Sequence, residues 1–254
     1  MSIVVERDAG LVRVTLDRPE RRNALTFDGF VELGRVLTEI AGRSADRAVL
    51  VTGAGGAFCA GADLSGGVPE ESTLRLMGVI NEAARALHRL PQPCVAAVDG
   101  PAVGAGMSLA LGCDIVVASS AATFCQVFVK RGLSPDFGSS WLLPRLVGLH
   151  TAKRLAMLGD TVTAEQARQL GLVAEVTAPE DLLDTATGIA RRLADGPPIA
   201  LAMTKRLLNA AFSTGFDDSL DAEAAASAVN TATKDVAEAF AAFAAKRPAV
   251  FHGR

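Results

Sequence analysis

Two loops rich in glycine and alanine contain the residues best placed to do chemistry. The first, residues 51–64, reads VTGAGGAFCAGADL, and the second, residues 99–114, reads DGPAVGAGMSLALGCD. Because their side chains are small, both loops can bring unpaired peptide N–H groups close to a ligand. Preorganised N–H donors of this kind stabilise the negative charge that develops on an oxygen atom during a reaction. The two loops therefore predict an oxyanion site built from backbone.

These loops do not match the other common glycine-rich motifs. Gly104 and Gly106 begin a GxG pattern, but Leu109 stands where the third glycine of a dinucleotide-binding GxGxxG motif belongs. The sequence also lacks a GxxxxGK[ST] phosphate loop and a GxSxG serine nucleophile motif. The sequence therefore does not favour a nucleotide-binding protein or a serine hydrolase.

The surrounding pattern alternates strands with helices, which indicates an α/β fold. A hairpin is predicted at 3–5 and 11–16, and Thr26 is a predicted N-cap for the following helix. Each glycine loop follows a predicted strand, at 48–52 and at CVAAVDG. Further predicted elements are a helix at about 72–90, a helix at 105–111, and strands at DIVVAS and ATFCQVFV.

The last quarter of the chain has a different composition. Pro197 and Pro198 precede an alanine-rich tail with a break near Gly215 and a predicted last helix at about 220–246. A helix with a small-residue face packs closely against another surface. We therefore predict a core at 1–190 and a helical oligomerisation region at 191–254.

Composition narrows the partners and the location. The 254 residues are half hydrophobic and carry a net charge of −3, which argues against nucleic acid as a partner. The N-terminus does not resemble a signal peptide, and no uncharged apolar run reaches membrane-spanning length. Four cysteines without CxxC spacing and three separated histidines predict reduced thiols, a cytoplasmic protein and no metal site.

Six segments in a fixed order make the chain resemble the crotonase superfamily, the enoyl-CoA hydratase/isomerase proteins, over nearly its whole length. They read LDRPERRNALT, AFCAGADL, DGPAVGAGMSLALGCD, GLSPDFGSSWLLPRLVG, TAEQARQLGLVAEV and FAAKRPAVF. The resemblance implies a spiral of ββα turns followed by a helical trimerisation region. It also implies acyl-CoA thioester substrates, with CoA as part of the substrate and no separate cofactor, and a homotrimer or a dimer of trimers.

The resemblance also places the site residues. It implies that the backbone N–H groups of Ala62 and Ala105 form the oxyanion hole. Taken alone, Arg21 and Arg22 could be a solvated loop or a phosphate site, and the resemblance favours contact with the CoA phosphates. The remaining implied CoA-binding positions are Ala24, Ala60, Ala62, Asp63, Leu64, Phe243 and Lys246, the last two reaching a neighbouring subunit's CoA. Acyl preference is expected to depend on residues 66–77.

The acid/base residues decide the reaction. The two glutamates of the hydratase branch fall at Ser108 and Phe128, and neither residue is a carboxylate. Asp136 instead matches the acidic residue of the isomerase branch, most closely the aspartate of phenylacetate-pathway isomerases. One base can move a proton from C2 to C4 without holding a water. We therefore expect a double-bond isomerase, with a hydratase and a CoA-binding protein of low turnover as alternatives.

Asp136 also has a structural interpretation. An aspartate just before a helix near Gly138 is a common N-cap. A helix N-terminus would lower the pKa of its carboxyl group, whereas an apolar wall of Phe128, Phe137 and Trp141 would raise it. The sequence leaves these two environments open.

Overall fold

The chain begins with the predicted hairpin. In the computed structural model, which describes residues 2–67 and 72–254, β1 (Ser2–Asp8) pairs antiparallel with β2 (Leu11–Asp17). Ala9 and Gly10 connect them with φ angles of 44° and 85°. Two consecutive positive φ angles are typical of the tight turn whose twist matches that of a hairpin.

Seven more strands complete two sheets. They are β3 (Ala48–Gly53), β4 (Cys94–Val98), β5 (Pro101–Val103), β6 (Ile115–Ser119), β7 (Thr123–Cys125), β8 (Thr161–Thr163) and β9 (Glu175–Thr177). The larger sheet has the order β1-β2-β3-β4-β6-β9 and is parallel from β2 onward. In the smaller sheet, β7 lies parallel to β5 and antiparallel to β8. The smaller sheet carries the second glycine loop.

Ten α-helices follow the strands in the described parts of the chain. They are α1 (Phe27–Ala41), α2 (Thr73–His88), α3 (Ala105–Gly112), α4 (Ser139–Val147), α5 (Leu149–Leu158), α6 (Ala164–Gln169), α7 (Leu182–Ala194), α8 (Pro198–Ala210), α9 (Phe216–Thr231) and α10 (Lys234–Ala244). The Thr26 hydroxyl accepts a hydrogen bond from the Gly29 N–H at 3.1 Å, so the predicted N-cap of α1 is confirmed.

Two predicted elements were wrong in extent. The run ATFCQVFV is a strand only at Thr123–Cys125, and Val127–Arg131 forms a 3-10 turn instead. The predicted last helix at 220–246 is two helices, α9 and α10, which are separated at residues 232–233. The break near Gly215 lies between α8 and α9 as predicted.

The central strands are buried on both faces, which explains their unbroken apolar sequences. One face packs against α1, α2 and α3, and the other packs against α7 through Leu182, Ala186, Ala190 and Ala194. The predicted division after residue 190 falls inside α7, and the division into two domains stays a prediction. Within the described residues, no helix is both long enough and apolar enough to cross a membrane.

Candidate active site

Backbone hydrogen bonds hold the two glycine loops side by side. The Cys59 N–H donates to the Pro101 carbonyl at 3.1 Å, and the Val103 N–H donates to the Cys59 carbonyl at 2.9 Å. The first loop is joined in turn to the start of α1, because the Leu25 N–H donates to the Gly61 carbonyl at 2.8 Å. The relative position of the loops is therefore set by main chain rather than by side chains.

Two glycines permit this close approach. A Cβ atom on Gly61, whose φ is +90°, would lie 2.7 Å from the Val103 oxygen and 3.5 Å from the Ala105 nitrogen. A Cβ on Gly106 would overlap the Cys59 carbonyl. Only glycine fits at either position, and the fit places residues 61–62 beside the N-terminus of α3.

The predicted oxyanion donors lie at this contact. The Ala105 N–H belongs to the first residue of α3, where helix N–H groups lack intrahelical acceptors and the helix dipole favours an anion. Leu25 and Ala62 form an isolated parallel β-bridge, but its hydrogen bonds join Leu25 to the Gly61 carbonyl and the Asp63 N–H. The Ala62 N–H takes no part in them. Neither N–H donates a hydrogen bond to another residue in the described ranges. Both therefore lack a protein acceptor there, and their catalytic role stays a prediction.

Arg18 and Asn23 attach the predicted CoA loop to the first glycine loop. An Arg18 guanidinium N–H donates to Asp63 at 2.6 Å and to the Ala24 carbonyl at 3.2 Å. The fully buried Asn23 amide donates to the carbonyls of Ala54 at 2.9 Å and Ala57 at 2.7 Å. The hydrogen bonds of Arg18 and Asn23 therefore fix both ends of the short loop that carries Arg21 and Arg22.

Asp63 is engaged within its own chain. The Ser65 N–H donates to one carboxylate oxygen at 2.9 Å, and Arg18 binds the other. The hydrogen bonds from the Ser65 backbone and hydroxyl, and then that from Arg18, hold the pKa of Asp63 below its usual range. Asp63 therefore shapes the loop, and a direct contact with CoA stays a prediction.

The other predicted CoA positions differ in exposure. Arg21 ends the 3-10 turn that begins at Pro19, Arg22 follows it, and both are exposed. Leu64 is 51% exposed, Ala60 is partly buried, and Ala24 is buried. Phe243 lies in the last turn of α10, Lys246 lies just after the helix, and both are exposed. In the described residues no hydrogen bond or ion pair joins Phe243 or Lys246 to the glycine loops, so the structure does not place them at this chain's own site.

Asp136 lies in a turn before α4 and does not cap that helix. Gly138 occupies the N-cap position without a side-chain hydrogen bond, so the N-cap interpretation of Asp136 is wrong. The Oδ1 atom of Asp136 is buried and has no hydrogen-bond partner among the described residues. Burial raises the pKa of the Asp136 carboxyl group to about 6. Of the two environments left open by the sequence, the desolvating one is present.

The positions of the two missing glutamates hold groups without acid/base function. Ser108 is fully buried in α3, and its hydroxyl donates to the Gly104 carbonyl at 3.1 Å. The Phe128 ring is buried against Gly104, where an added Cβ would lie 3.6 Å from the ring Cζ. The cysteine in the first loop is also inert, because burial raises the pKa of the Cys59 thiol to about 12.

A cavity of about 1090 Å³ opens beside the Asp136 turn, between α2, α4 and α8. Phe137, Gly138 and Trp141 line it, whereas Ala62, Ala105 and Asp136 do not. Residues 68–71 of the predicted acyl-pocket stretch at 66–77 lie outside the described residues. In the ranges 2–67 and 72–254, no three His, Cys, Asp or Glu side chains are grouped to hold a metal ion.

Sequence analysis missed Arg18, Asn23, Gln126 and Ser139. Arg18 and Asn23 lie inside the segment LDRPERRNALT, on which the family resemblance rests. Polar residues within such a segment could have been recognised as candidates for holding the loop in place. Gln126 interrupts the apolar run ATFCQVFV, and the buried Ser139 hydroxyl donates to its amide oxygen at 3.1 Å. One polar residue within an apolar run is a signal of a buried hydrogen bond.

The mixed α/β fold, in which the two glycine loops follow the neighbouring strands β3 and β4 and helices make up the C-terminal part, is that of a crotonase-class enzyme. The profile of the family described as "Enoyl-CoA hydratase/isomerase" matches residues 6–254, and the chain belongs to that family. Its enzymes act on acyl-CoA thioesters, and the predicted crotonase-like fold is confirmed.

Individual relatives carry both kinds of name. The chain is 38% identical to the 1,2-epoxyphenylacetyl-CoA isomerase of Escherichia coli K12, over 97% of each chain. It is 37% identical to the short-chain-enoyl-CoA hydratase of Clostridium acetobutylicum, over 97% of this chain and 95% of the relative. The crystal structure of an enoyl-CoA hydratase from Bacillus anthracis superposes with a TM-score of 0.96 at 32% identity, covering 100% of both chains. These relatives agree on the enoyl-CoA hydratase/isomerase family, but some are named as isomerases and others as hydratases.

Proposed function

We propose that the protein is an acyl-CoA isomerase that converts a 3-enoyl thioester to a 2-enoyl thioester. The observation that carries the proposal is the Asp136 carboxyl group, which has a buried, unpartnered oxygen and a pKa raised to about 6. Ser108 and Phe128 offer no second carboxylate for holding a water. The similarity to an isomerase of Escherichia coli supports the same reaction.

The proposed reaction needs one base and two hydrogen-bond donors. The Asp136 carboxylate removes a proton from C2, and the electron pair of the C–H bond moves toward the thioester oxygen. The N–H groups of Ala62 and Ala105 hold the resulting enolate oxygen. Asp136 then returns the proton to C4 while the double bond moves from C3–C4 to C2–C3. The proposed reaction uses no water and no cofactor, because CoA is the part of the substrate that carries the acyl group.

A raised pKa makes this aspartate suited to the task. A carboxylate with a pKa near 6 is mostly ionised at neutral pH and is more basic than an ordinary aspartate. We also propose that exposed apolar residues in the C-terminal helical region support assembly as a homotrimer or a dimer of trimers. They include Phe212 in the turn after α8, Phe216 on α9 and Phe240 on α10.

The competing candidate is a hydratase, which the name of the Clostridium acetobutylicum relative favours. Purified protein should be given a 3-enoyl-CoA and, separately, a 2-enoyl-CoA. We expect isomerisation of the first, and a loss of about 10²–10⁴-fold in Asp136→Asn, the usual contribution of a positioned base. Asp221→Asn, an exposed aspartate on α9, is the matched control.

Unchanged isomerisation in Asp136→Asn would refute the proposed base. Fast hydration of the 2-enoyl-CoA by the unmodified protein would support the hydratase instead. Binding of both thioesters without turnover would support a CoA-binding protein of low activity.

A further inference from the structure

Gln126 is a buried amide that the proposed reaction does not use. It is 1% exposed and lies between β7 and the 3-10 turn Val127–Arg131. Its Oε1 atom accepts a hydrogen bond from the hydroxyl of Ser139, which is also 1% exposed. Its Nε2 atom has no hydrogen-bond partner in the described part of the chain. A buried amide that is only half satisfied is unfavourable for folding, and an apolar side chain of similar volume would avoid this cost.

The main chain around Gln126 and Ser139 reaches both halves of the candidate site. The carbonyl of Cys125, the preceding residue, accepts a hydrogen bond from the Gly104 N–H at 2.8 Å. Gly104 directly precedes Ala105, a predicted oxyanion donor. On the other side, the Ser139 N–H donates to the Asp136 carbonyl at 3.0 Å. The Gln126–Ser139 hydrogen bond therefore joins the oxyanion loop to the turn that carries Asp136.

That turn needs support from its surroundings. Phe137 and Gly138 are consecutive residues with φ angles of 50° and 79°. A left-handed conformation is unfavourable for phenylalanine and persists only where neighbouring contacts hold it. Burial of the Phe137 ring, which lies 6.1 Å from the Phe30 ring, fixes one side of the turn. The hydrogen bonds of Ser139 fix the other side.

We propose that Gln126 is a positioning residue that acts through Ser139 to set the distance between the Asp136 carboxylate and the Ala105 N–H. The proposal rests on the proposed function, in which Asp136 is the base. The C2 carbon is bonded directly to the thioester carbonyl carbon, so the base at C2 and the donors at the carbonyl oxygen must be held at a fixed distance from each other. A misplacement of about 1 Å can reduce the rate about 10²-fold.

The test uses two single variants and the double variant. Gln126→Met removes the acceptor at nearly constant volume, and Ser139→Ala removes the donor. We expect each to lower kcat for 3-enoyl-CoA isomerisation by about 10- to 100-fold while KM changes less than about threefold. The double variant should be no slower than either single variant, because both remove the same hydrogen bond.

Gln92→Met is the control for the loss of a buried amide. Gln92 is buried too, and its amide donates to the carbonyls of Ile40 at 2.9 Å and Asp46 at 3.1 Å, away from the glycine loops. It should lower the melting temperature without lowering kcat. If Gln126→Met fails to fold, the smaller Ser139→Ala deletion carries the same test.

A second measurement is independent of the reaction. Carbon-13 NMR can titrate the Asp136 carboxyl group in the substrate-free protein. Loosening the turn should admit water and lower the pKa of Asp136 from about 6 toward its ordinary value in both variants, but not in Gln92→Met.

Unchanged kcat and an unchanged Asp136 titration in Gln126→Met and Ser139→Ala would overturn the positioning role. Losses that add in the double variant would also overturn it. Full activity of Asp136→Asn is a different result: it refutes the base itself, while the NMR titration still reports whether Gln126 positions the turn.

Discussion

Replacing Asp136 by asparagine should stabilise the fold at neutral pH while it removes the proposed base. Burial raises the pKa of this carboxyl group from 3.8 to about 6. A difference of about two pH units corresponds to about 3 kcal/mol, at about 1.4 kcal/mol per unit. Because part of the residue reaches solvent, about 2–3 kcal/mol is the expected gain from a neutral amide. Active sites commonly carry such a conflict between stability and activity.

The sign of the effect follows from the direction of the pKa change. The folded pKa lies above the unfolded one, so the carboxyl group favours folding fully below about pH 4 and loses that contribution as pH rises through 6. The variant and the unmodified protein should therefore have similar melting temperatures at pH 4. The variant should melt roughly 4–12 °C higher at pH 8, at about 2–4 °C per kcal/mol for a chain of this size.

Thermal unfolding followed by circular dichroism at pH 4, 6 and 8 measures the difference directly. Asp221→Asn, which removes an exposed carboxylate on α9, controls for the change in net charge and should show no such pH dependence. A variant that is less stable than the unmodified protein at pH 8, or a difference that is constant across pH, would show that Asp136 is not desolvated.

Three further substitutions test the rest of the site. The double variant Arg21→Ala, Arg22→Ala should raise KM several-fold for an acyl-CoA. It should leave KM unchanged for the corresponding acyl-pantetheine, which lacks the nucleotide phosphates. Equal effects on both substrates would contradict phosphate binding. Gly106→Ala should lower both the melting temperature and kcat, because the new Cβ pushes the first glycine loop away from α3. If the variant keeps the melting temperature and kcat of the unmodified protein, the loop and α3 are not tightly packed at this position. Arg18→Met should lower the melting temperature at pH 7, where Asp63 is ionised and paired. The difference should shrink progressively as the pH falls below about 4 toward the lowered pKa of folded Asp63; a difference that stays constant would mean that the ion pair contributes nothing.

Elements with local signals were predicted well from sequence. The hairpin turn at Ala9 and Gly10, the cap at Thr26 and the start of α3 at Ala105 each depend on a few adjacent residues. Strands β3 and β4 were recognisable because both of their faces are buried and their sequences are continuously apolar.

Features that depend on distant contacts were not predictable. An apolar run such as ATFCQVFV has no period that separates a strand from a 3-10 turn, so its break after Cys125 was missed. The break between α9 and α10 has no glycine or proline to mark it. The environment of Asp136 depends on a left-handed Phe137, a conformation that only tertiary packing enforces.

The backbone origin of the proposed oxyanion donors has a genetic consequence. Every amino acid except proline supplies a peptide N–H, so most codon changes at Ala62 and Ala105 alter the size of a side chain and leave the donor intact. At position 136, by contrast, one nucleotide change can delete the proposed base. Substitutions at a few side chains are therefore expected to change the proposed reaction more readily than the proposed binding of the thioester oxygen.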